Sequence, residues 1–306
     1  MTPEQLRDLG AAISNWGRWG ADDEIGTLNH VTEERILAAA ALVRRGRVFD
    51  LGMPLDAHGP QPGGVRFNPI HRMSVTPSDY ANSADGMVAA DDMVMMTLQA
   101  ATQWDSLAHV GYDDRLYNDV PASAVNSFGA SRNAIDKTVG RMVGRGVLLD
   151  IARLKEVDSL ASGERIEAED LEAAERRQGV TVGAGDFLFV RTGWYQTFLG
   201  GDSAAYLGPS PGLALSCCEW LHRRDVAAVC ADNSAVEVLP SEIEGVDVPL
   251  HMVLIRDLGL TLGEMFNLEE LAADCAETGV SEFFFSGSAL KFTGAVGSPL
   301  SPLAIT

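Results

Sequence analysis

The sequence predicts a single domain of mixed α and β type, in the α/β (α+β) class. Stretches rich in β-branched and aromatic residues alternate with helical stretches, but without the regular rhythm of repeated βαβ units. Hydrophobic residues make up 46% of the 306 residues and charged residues 22%, as in ordinary globular proteins. We see no linker or repeat that divides the chain, so we expect one domain over residues 1–306, with residues 1–48 as an N-terminal extension packed on it.

Four segments carry helix signals, and each has a residue suited to its beginning or its end. Thr32 and Ser210 are preferred N-cap residues, Asn267 is another, and Gly46 and Gly279 suit the position after a helix ends. The predicted helices cover residues 32–45, 166–177, 211–224 and 268–278.

The predicted strands are short and rich in β-branched or aromatic residues. They cover residues 47–51, 93–105, 147–151, 186–191, 226–231 and 282–285. Residues 54–86 are rich in Gly, Pro, Asn and Ser, so we expect a long irregular loop that is functional or wrapped around a partner.

The charge balance excludes several classes of partner. Lys and Arg total 23 and Asp and Glu total 43, so the formal net charge is −20. Nucleic acid and anionic membranes repel such a chain, and its basic clusters are short. Neither a membrane-spanning apolar run nor a secretory signal is recognisable. Four cysteines without a C-x-x-C spacing make no disulfide framework, so we expect a cytoplasmic protein.

The stretch 98–109 holds the densest set of candidate ligands. If the strand predicted over 93–105 continues to its end, Gln99, Gln103 and Asp105 share one face, because side chains alternate with a period of two. His109 follows four residues later. Oxygen donors with an imidazole could hold a metal. A half-buried strand with a solvated polar face is the alternative.

Two further stretches place polar residues at the ends of apolar runs. His251 begins one run and Glu264 ends another, and together they could complete a metal site or an acid/base pair. A core histidine and a carboxylate placed before a helix are the alternatives. Asp232 and Ser234 follow an apolar strand, where either substrate-binding residues or an Asx-type turn could lie. Signatures of nucleotide-binding loops, serine nucleophile elbows and H-E-x-x-H zinc sites are absent from the sequence.

The run from residue 99 to 109, Q-A-A-T-Q-W-D-S-L-A-H, resembles the signature H-x-G-T-H-x-D-x-P-x-H. That signature is typical of the metal-dependent cyclase-like hydrolases, the family of bacterial kynurenine formamidase (arylformamidase) and isatin hydrolase. Thr102, Asp105 and His109 match it. Other matching pieces follow in the expected order, from G-V-L-L-D at 146–150 and R-T-G-W at 191–194 to G-S-P at 297–299. The opening N-W-G-R-W-G of residues 15–20 resembles longer members that carry a T-Q-W-D motif.

The resemblance implies a swivelling β/β/α fold with a β-barrel-like core and flanking helices, usually as a homodimer or a larger assembly such as a homotetramer. It also implies a divalent metal, zinc or manganese, that activates water for attack on an amide, imide or lactone carbonyl. Asp105, His109, His251 and Glu264 are the matching metal or acid/base positions. A formamidase role in the breakdown of tryptophan to kynurenine is a family expectation.

The departures from the signature bear on the metal. Gln99 and Gln103 replace two of its histidines, and a neutral amide coordinates more weakly than imidazole and cannot shuttle protons. A two-zinc site is therefore impaired. One metal held by Asp105, a histidine and Glu264, with the glutamines assisting, leans towards harder ions such as manganese. A metal-free site is the alternative.

Three functional hypotheses follow. In the first, a metal-dependent hydrolase uses His109 as general base and Asp105, His251 and Glu264 as ligands, while Gln99 and Gln103 act as ligands or as donors to the substrate carbonyl. Trp104 and Trp19 would form apolar walls for a cyclic or aromatic substrate. In the second, Asp105 and His109 form a metal-free acid/base dyad of a lactonase, cyclase or dehydratase. In the third, the chain is a catalytically silent binding protein.

Overall fold

A curled mixed sheet forms the centre of the protein. The computed structural model describes residues 1–81 and 83–306. Within them nine strands hydrogen-bond in the order β1 (Val48–Asp50), β15 (Leu303–Ile305), β13 (Glu282–Ser286), β7 (Val143–Asp150), β9 (Phe187–Arg191), β11 (Ala228–Ala231), β12 (Thr261–Glu264), β4 (Gln103–Asp105) and β14 (Gly297–Pro299). The four strands β7, β9, β11 and β12 run parallel to one another. The sheet closes halfway into a barrel and carries helices on its outer side, which confirms the predicted mixed α/β class.

Three two-stranded pairs lie outside the large sheet: β2 (Ile70–Val75) with β3 (Asp91–Met95), β5 (Val125–Asn126) with β6 (Gly129–Ala130), and β8 (Arg165–Ile166) with β10 (Gly212–Leu213). The helices are α1 (Pro3–Ala12), α2 (Glu33–Ala40), α3 (Ile151–Leu154), α4 (Ala168–Gln178), α5 (Tyr195–Leu199), α6 (Ser203–Tyr206), α7 (Cys217–Arg224), α8 (Pro249–His251) and α9 (Glu269–Thr278).

Both faces of the parallel strands are buried, as is usual where helices or a curled sheet cover each side. Alternate residues of β7, β9, β11 and β12 pack with α1, α4, α7 and the helical segment after α8. The residues between them enter a second core inside the curl of the sheet, which is rich in aromatic side chains: Trp104, Phe187, Phe189, Phe266, Phe283 and Phe285. The sheet is thus the rigid layer from which the site residues project.

The N-terminal segment satisfies the end of the helix that follows α8. That helix continues as a seven-residue π-helix, Met252–Leu258, which ends at Gly259. Trp16 Nε1 donates a hydrogen bond to the carbonyl of residue 256, and Thr27 donates one to the carbonyl of Gly259. Asn15 donates from its backbone amide to the carbonyl of residue 257 and from its side chain to the carbonyl of residue 258. The last carbonyls of a helix have no partner within it, so the N-W-G segment acts as its C-terminal cap.

The structure confirms most predicted elements and corrects their ends. The helix predicted over 32–45 is α2, and Thr32 caps it, but it stops at Ala40; farther along, the amides of Arg45 and Gly46 bond to the Thr306 carbonyl. The helix predicted over 211–224 begins only at Cys217, since the preceding residues form β10 instead.

The strand predicted over 93–105 was wrong as one element. β3 ends at Met95, the chain turns, and β4 begins at Gln103 in another sheet. The irregular segment predicted over 54–86 contains the exposed strand β2, and residue 82 within it lies outside the described residues. The β2–β3 hairpin exposes apolar side chains, among them Ile70, Met73, Met93, Val94 and Met95. No helix described for residues 1–81 and 83–306 has the length and apolar character needed to cross a membrane.

Candidate metal centre

The pairing of β4 with β12 brings the two best candidate carboxylates together. β4 lies between β12 and β14, and Gln103 faces Glu264 directly across the antiparallel register. Gln103 Nε2 donates to Glu264 Oε2 at 2.7 Å and lies 3.4 Å from Asp105 Oδ1. Asp105 shares the face of Gln103 because the two are separated by one residue in a strand. All three side chains are buried.

His251 enters the same site from α8, which precedes β12. Its Nε2 lies 3.0 Å from Glu264 Oε1 and 3.8 Å from Asp105 Oδ2. Its Nδ1 lies 2.5 Å from Glu237 Oε1, and the Glu237 carboxylate also accepts from the backbone amides of Leu250 and His251. Glu237 therefore fixes the ring and leaves Nε2 directed at the two site carboxylates. A partner of this kind is typical of metal-binding histidines.

These side chains fit a metal ion. One ligand atom each from Asp105, His251 and Glu264 lies within 4.8 Å of the other two, and all three residues are buried. Asp105 Oδ2 and Gln103 Oε1 are buried without a hydrogen-bond partner. Buried polar atoms are nearly always paired, so two unpaired oxygens beside a carboxylate and an imidazole fit the ligand set of a cation.

Burial and neighbouring charges shift the pKa values of Asp105 and His251. Burial raises the pKa of Asp105 to about 6, and the charge of Glu264 adds to the effect, while His109, His251 and Arg66 oppose it. For His251, burial by itself lowers the pKa, but hydrogen bonds with Glu237 and Glu264 outweigh burial and raise the pKa to about 10. Without a metal, the ring is a buried cation held between two carboxylates.

His109 lies at the edge of this cluster. Its Nε2 is 3.7 Å from Asp105 Oδ1, which is longer than a hydrogen bond. Its side chain is 18% exposed, whereas Asp105 is fully buried. His109 is therefore the one imidazole here that is accessible to both water and the cluster, as a proton-transfer group requires.

Two residues beside the site have unusual backbone conformations. Val236 precedes Glu237 and has a φ of 57°, and Met265 follows Glu264 with a φ of 59°. A positive φ is costly for a side chain with a Cβ, above all for a β-branched one. Hydrogen bonds hold both turns: Asn233 Oδ1 accepts from the Val236 amide, and the Met265 amide donates to the Asn233 carbonyl. These two conformations change the direction of the backbone next to Glu237 and Glu264.

Gln99 lies near the cluster but outside β4. It is half-buried in the turn before the motif strand. A Cβ atom at Gly297 would lie 2.5 Å from its Nε2, and Gly297 pairs with Asp105 in the register of β14 and β4. Gln99 therefore lies beside Gly297, the partner of Asp105 in β14, and a turn places it there, not the strand alternation that predicted it.

Two tryptophans expected to line the substrate lie away from the carboxylate cluster, and their substrate-lining role stays a prediction. Trp104 alternates with Gln103 and Asp105, so it points to the opposite face of β4, where it is fully buried and donates to the Gly287 carbonyl at 2.7 Å. Trp19 packs edge-on against His30 near Asp225, before β11 begins. Within this chain that is the opposite end of the parallel strands from Glu264.

Asp232, whose substrate-binding role stays a prediction, also makes structural hydrogen bonds. Its carboxylate accepts from the Thr192 amide and hydroxyl and from the Gly193 amide, at 2.6 to 2.9 Å. Burial raises its pKa to about 6. These bonds tie the end of β11 to the end of β9. Ser234 follows in the next turn and is half-buried; its substrate-binding role stays a prediction.

Sequence reasoning missed Glu237 and Arg66. Glu237 stands in the apolar run A-V-E-V of residues 235–238, and a charge inside such a run is a signal that a buried partner exists. Arg66 lies in the irregular segment before β2, and its charge acts on Asp105. No local pattern marks Arg66, because only the folded loop brings it near β4.

Comparison with known proteins identifies the family. The Cyclase family model, described as "Putative cyclase", matches residues 49–238. The crystal structure of a novel cyclase is 40% identical, covers 96% of this chain and 99% of its own, and superposes with a TM-score of 0.89. A comparison with curated proteins gave no match.

More distant structures share the fold. Isatin hydrolase A from Ralstonia solanacearum is 23% identical, with 89% of this chain and 97% of that one covered and a TM-score of 0.64. A potential metal-dependent hydrolase with cyclase activity is 14% identical, with 84% and 98% covered and a TM-score of 0.53. The curled sheet with flanking helices is thus the cyclase-like β/β/α fold that the motif resemblance implied. With the family model matching well over half of its length, this chain belongs to the Cyclase family.

Proposed function

We propose that this protein is a metal-dependent hydrolase that cleaves the C–N bond of an amide, formamide or imide, or the C–O bond of a lactone. The observation that carries the proposal is the buried cluster of Asp105, His251 and Glu264, with an orphaned oxygen on Asp105. The similar structures named as isatin hydrolase and metal-dependent hydrolase support the same class of chemistry. An arylformamidase-like activity is one member of this class.

Asp105 Oδ2, His251 Nε2 and Glu264 would hold the ion, and Gln103 Oε1 could add a fourth ligand atom, the third oxygen. A ligand set of this kind, with one nitrogen and the rest oxygens, favours manganese over zinc, because zinc sites in proteins rely more on imidazole and thiolate. When bound, a divalent ion would supply Lewis-acid polarisation and lower the pKa of a water towards neutrality.

The chain's own residues would handle the protons. His109 is accessible and lies next to Asp105, so we propose that it takes the proton of the attacking water at its Nε2 and later delivers it to the leaving nitrogen or oxygen. Glu237 accepts a hydrogen bond from Nδ1 of His251, so the proton stays on Nδ1 and Nε2 is directed towards the ion. Gln103 orients Glu264 through its amide.

The test is the metal content of the purified, tag-free protein by mass spectrometry, before and after EDTA, together with turnover of a formamide, imide and lactone panel. Asp105→Asn removes one proposed ligand. Asp274→Asn is the matched control, since Asp274 on α9 is also buried but pairs with Arg45 and Arg47, away from the cluster. We expect about one manganese or zinc per chain in the wild type and the control, and loss of both metal and EDTA-sensitive turnover in Asp105→Asn.

Equal metal content in Asp105→Asn would place the metal elsewhere. Turnover that resists EDTA in a metal-free protein would favour the Asp105–His109 dyad. Absence of both metal uptake and turnover would favour a binding protein on this fold.

We also propose that the protein is a homodimer or homotetramer that acts on a cyclic or aromatic small molecule. The exposed apolar β2–β3 hairpin supports the assembly, because an isolated two-stranded hairpin with apolar side chains on its surface is rarely stable in water. Light scattering after gel filtration would measure the assembly size. The single-domain organisation and the cytoplasmic location stay predictions.

A further inference from the structure

His251 stands between two carboxylates that come from separate turns of the chain. Its Nδ1 lies 2.5 Å from Glu237 and its Nε2 lies 3.0 Å from Glu264. Glu237 belongs to the segment after β11, whereas Glu264 is the last residue of β12. The ring can keep one orientation between them only if the two turns keep a fixed separation, so a link between the turns is needed.

Asn233 supplies that link. Its backbone carbonyl accepts a hydrogen bond from the Met265 amide at 2.9 Å, next to Glu264. Its side chain reaches the other turn, where Oδ1 accepts from the Val236 amide at 2.8 Å and Nδ2 donates to the Glu237 carbonyl at 3.3 Å. The strands β11 and β12 are parallel neighbours, so the segments that follow them lie side by side.

Both linked turns need support from outside the turn. Val236 and Met265 have φ values of 57° and 59°, a region that side chains with a Cβ rarely adopt. Such conformations persist only where the surrounding structure determines them. Asn233 bonds to the amides of both residues. Loss of this asparagine would therefore release the backbone next to both carboxylates.

Thr102 holds the Met265 turn from the other side. Its hydroxyl donates to the Met265 carbonyl at 2.6 Å and accepts from the Met53 amide at 2.7 Å. Thr102 directly precedes β4. The turn after Glu264 is thus fixed to β4 through Thr102, and it is fixed to the segment after β11 through Asn233.

The Asn233 side chain is closed to ligands. It is fully buried, and its Nδ2 also donates to the Pro211 carbonyl at 2.7 Å. An amide group has two hydrogens on its nitrogen, and both are used. Asn233 therefore cannot contact a substrate, and any effect that it has on the chemistry acts through its neighbours.

We propose that Asn233 is a positioning residue of the metal centre. It fixes the turns of Glu237 and Glu264 relative to each other, so that His251 Nε2 and the Glu264 carboxylate stay directed at one point. This inference rests on the proposed function. Residues that orient metal ligands usually contribute about 10- to 100-fold to metal affinity, and a preformed ligand set avoids the cost of ordering side chains when the ion binds.

The first measurement is calorimetric titration of the purified, metal-free protein with manganese. Asn233→Ala should weaken the affinity by about 10- to 100-fold. Asn15→Ala is the matched control, because Asn15 is also buried and donates to a carbonyl, that of Leu258, at 2.9 Å. Leu258 lies before β12 begins, at the opposite end of that strand from Glu264. The control should lose stability but keep the wild-type affinity.

An unchanged affinity in Asn233→Ala, or an equal loss in Asn15→Ala, would overturn the inference. Asn233→Ser is a second variant that disturbs the fold less. Serine keeps an oxygen that can accept from a nearby amide, although more weakly, but it cannot donate to both carbonyls. Its affinity should lie between those of wild type and Asn233→Ala. If Asn233→Ala does not fold, wild-type affinity in the serine variant would contradict the proposal.

A double-mutant cycle separates positioning from a general loss of stability. If Asn233 acts through the Glu237 turn, Asn233→Ala should cost less affinity in a Glu237→Gln background than in the wild type, because residues that act through one another are not additive. A loss by the same factor in both backgrounds would show that the two residues act independently, and the proposal would be wrong.

Proton NMR of the metal-free protein tests the inference without an ion. The Nδ1 proton of His251 is buried and hydrogen-bonded to Glu237, so it should give a slowly exchanging downfield resonance that is absent from His251→Gln. We expect this resonance in wild type and in Asn15→Ala, and its loss in Asn233→Ala.

Survival of the resonance in Asn233→Ala, or its absence from wild type, would overturn the inference whether or not metal binds. If the protein takes up no metal but the resonance is lost in Asn233→Ala and kept in the control, the positioning role of Asn233 stands while the hydrolase proposal fails.

Discussion

We predict that metal uptake expels a proton from His251. In the metal-free site both ring nitrogens have a carboxylate partner, Glu237 at 2.5 Å from Nδ1 and Glu264 at 3.0 Å from Nε2. These hydrogen bonds outweigh the effect of burial and raise the pKa of His251 to about 10. An ion held by Nε2 and Glu264 would take the place of the Nε2 proton, so binding of metal and proton at this nitrogen is mutually exclusive.

The size of the effect follows from the pKa. At a pH of about 7.5, removal of the proton costs roughly 3 kcal/mol, which weakens the apparent metal affinity by about 300-fold relative to the neutral ring. The affinity should therefore rise about tenfold for each unit of pH between about 7 and 9. Asp105 has a pKa of about 6, so below that pH a second proton competes and the dependence becomes steeper.

The assay is calorimetric titration with manganese in buffers of different ionisation enthalpy, which counts the protons released. We expect about one proton per ion at a pH of about 8.5. Glu237→Gln keeps an acceptor for the Nδ1 proton but removes its charge, so it should lower the pKa of His251 and reduce the proton release at that pH. It should also weaken metal binding by about 10- to 100-fold.

Asp274→Asn, which changes a buried carboxylate on α9, should behave like the wild type. Binding without proton release, or an affinity that does not change with pH between about 7 and 9, would refute the claim that Nε2 is a metal ligand.

Four other outcomes are expected. The raised pKa of His251 stabilises the metal-free fold fully below the unfolded pKa of about 6.5, and this stabilisation is lost as the pH rises towards about 10. In thermal scans, the difference in Tm between metal-loaded and metal-free protein should therefore widen with pH. A difference in Tm that does not change with pH would contradict this linkage. Asp105→Ala should abolish metal content and turnover, and a variant that kept wild-type turnover would show that the active site lies elsewhere. Gln103→His should raise zinc affinity by about tenfold or more in a competition titration, because imidazole is the better zinc ligand; an unchanged affinity would mean that this side chain does not face the ion. Asn15→Ala should lower the free energy of unfolding by about 1–3 kcal/mol in urea, because it strips the buried carbonyl of Leu258 of its donor; a loss below about 0.5 kcal/mol would show that water replaces the cap.

Much of the local structure could be predicted from the sequence. Helix caps such as Thr32 and the run of buried strands were visible because they depend on a few neighbouring residues. The period of two placed Gln103 and Asp105 on one face, although Trp104 between them was still assigned to the substrate site. The motif resemblance identified Asp105, His251 and Glu264 as site positions, and the structure brings these three together.

Other features depended on contacts far apart in the chain. The break of the strand predicted over 93–105 was hidden, because both halves have strand composition and only their pairing with different sheets separates them. The start of α7 was set by the pairing of β10 with β8, and no local signal announces such a partner.

The sequence by itself determined which residue types were available for chemistry and on which face of each element they lie, because side-chain alternation and capping act over a few residues. Only the tertiary structure decided that Glu237 hydrogen-bonds to His251 and that the Asp232 carboxylate accepts hydrogen bonds from the turn after β9. It alone brought the Arg66 loop to β4. Glu264 hydrogen-bonds to His251, 13 positions away in the sequence, and to Gln103, 161 positions away. Such contacts depend on strand register, turn geometry and burial, so they exist only once the sheet has formed.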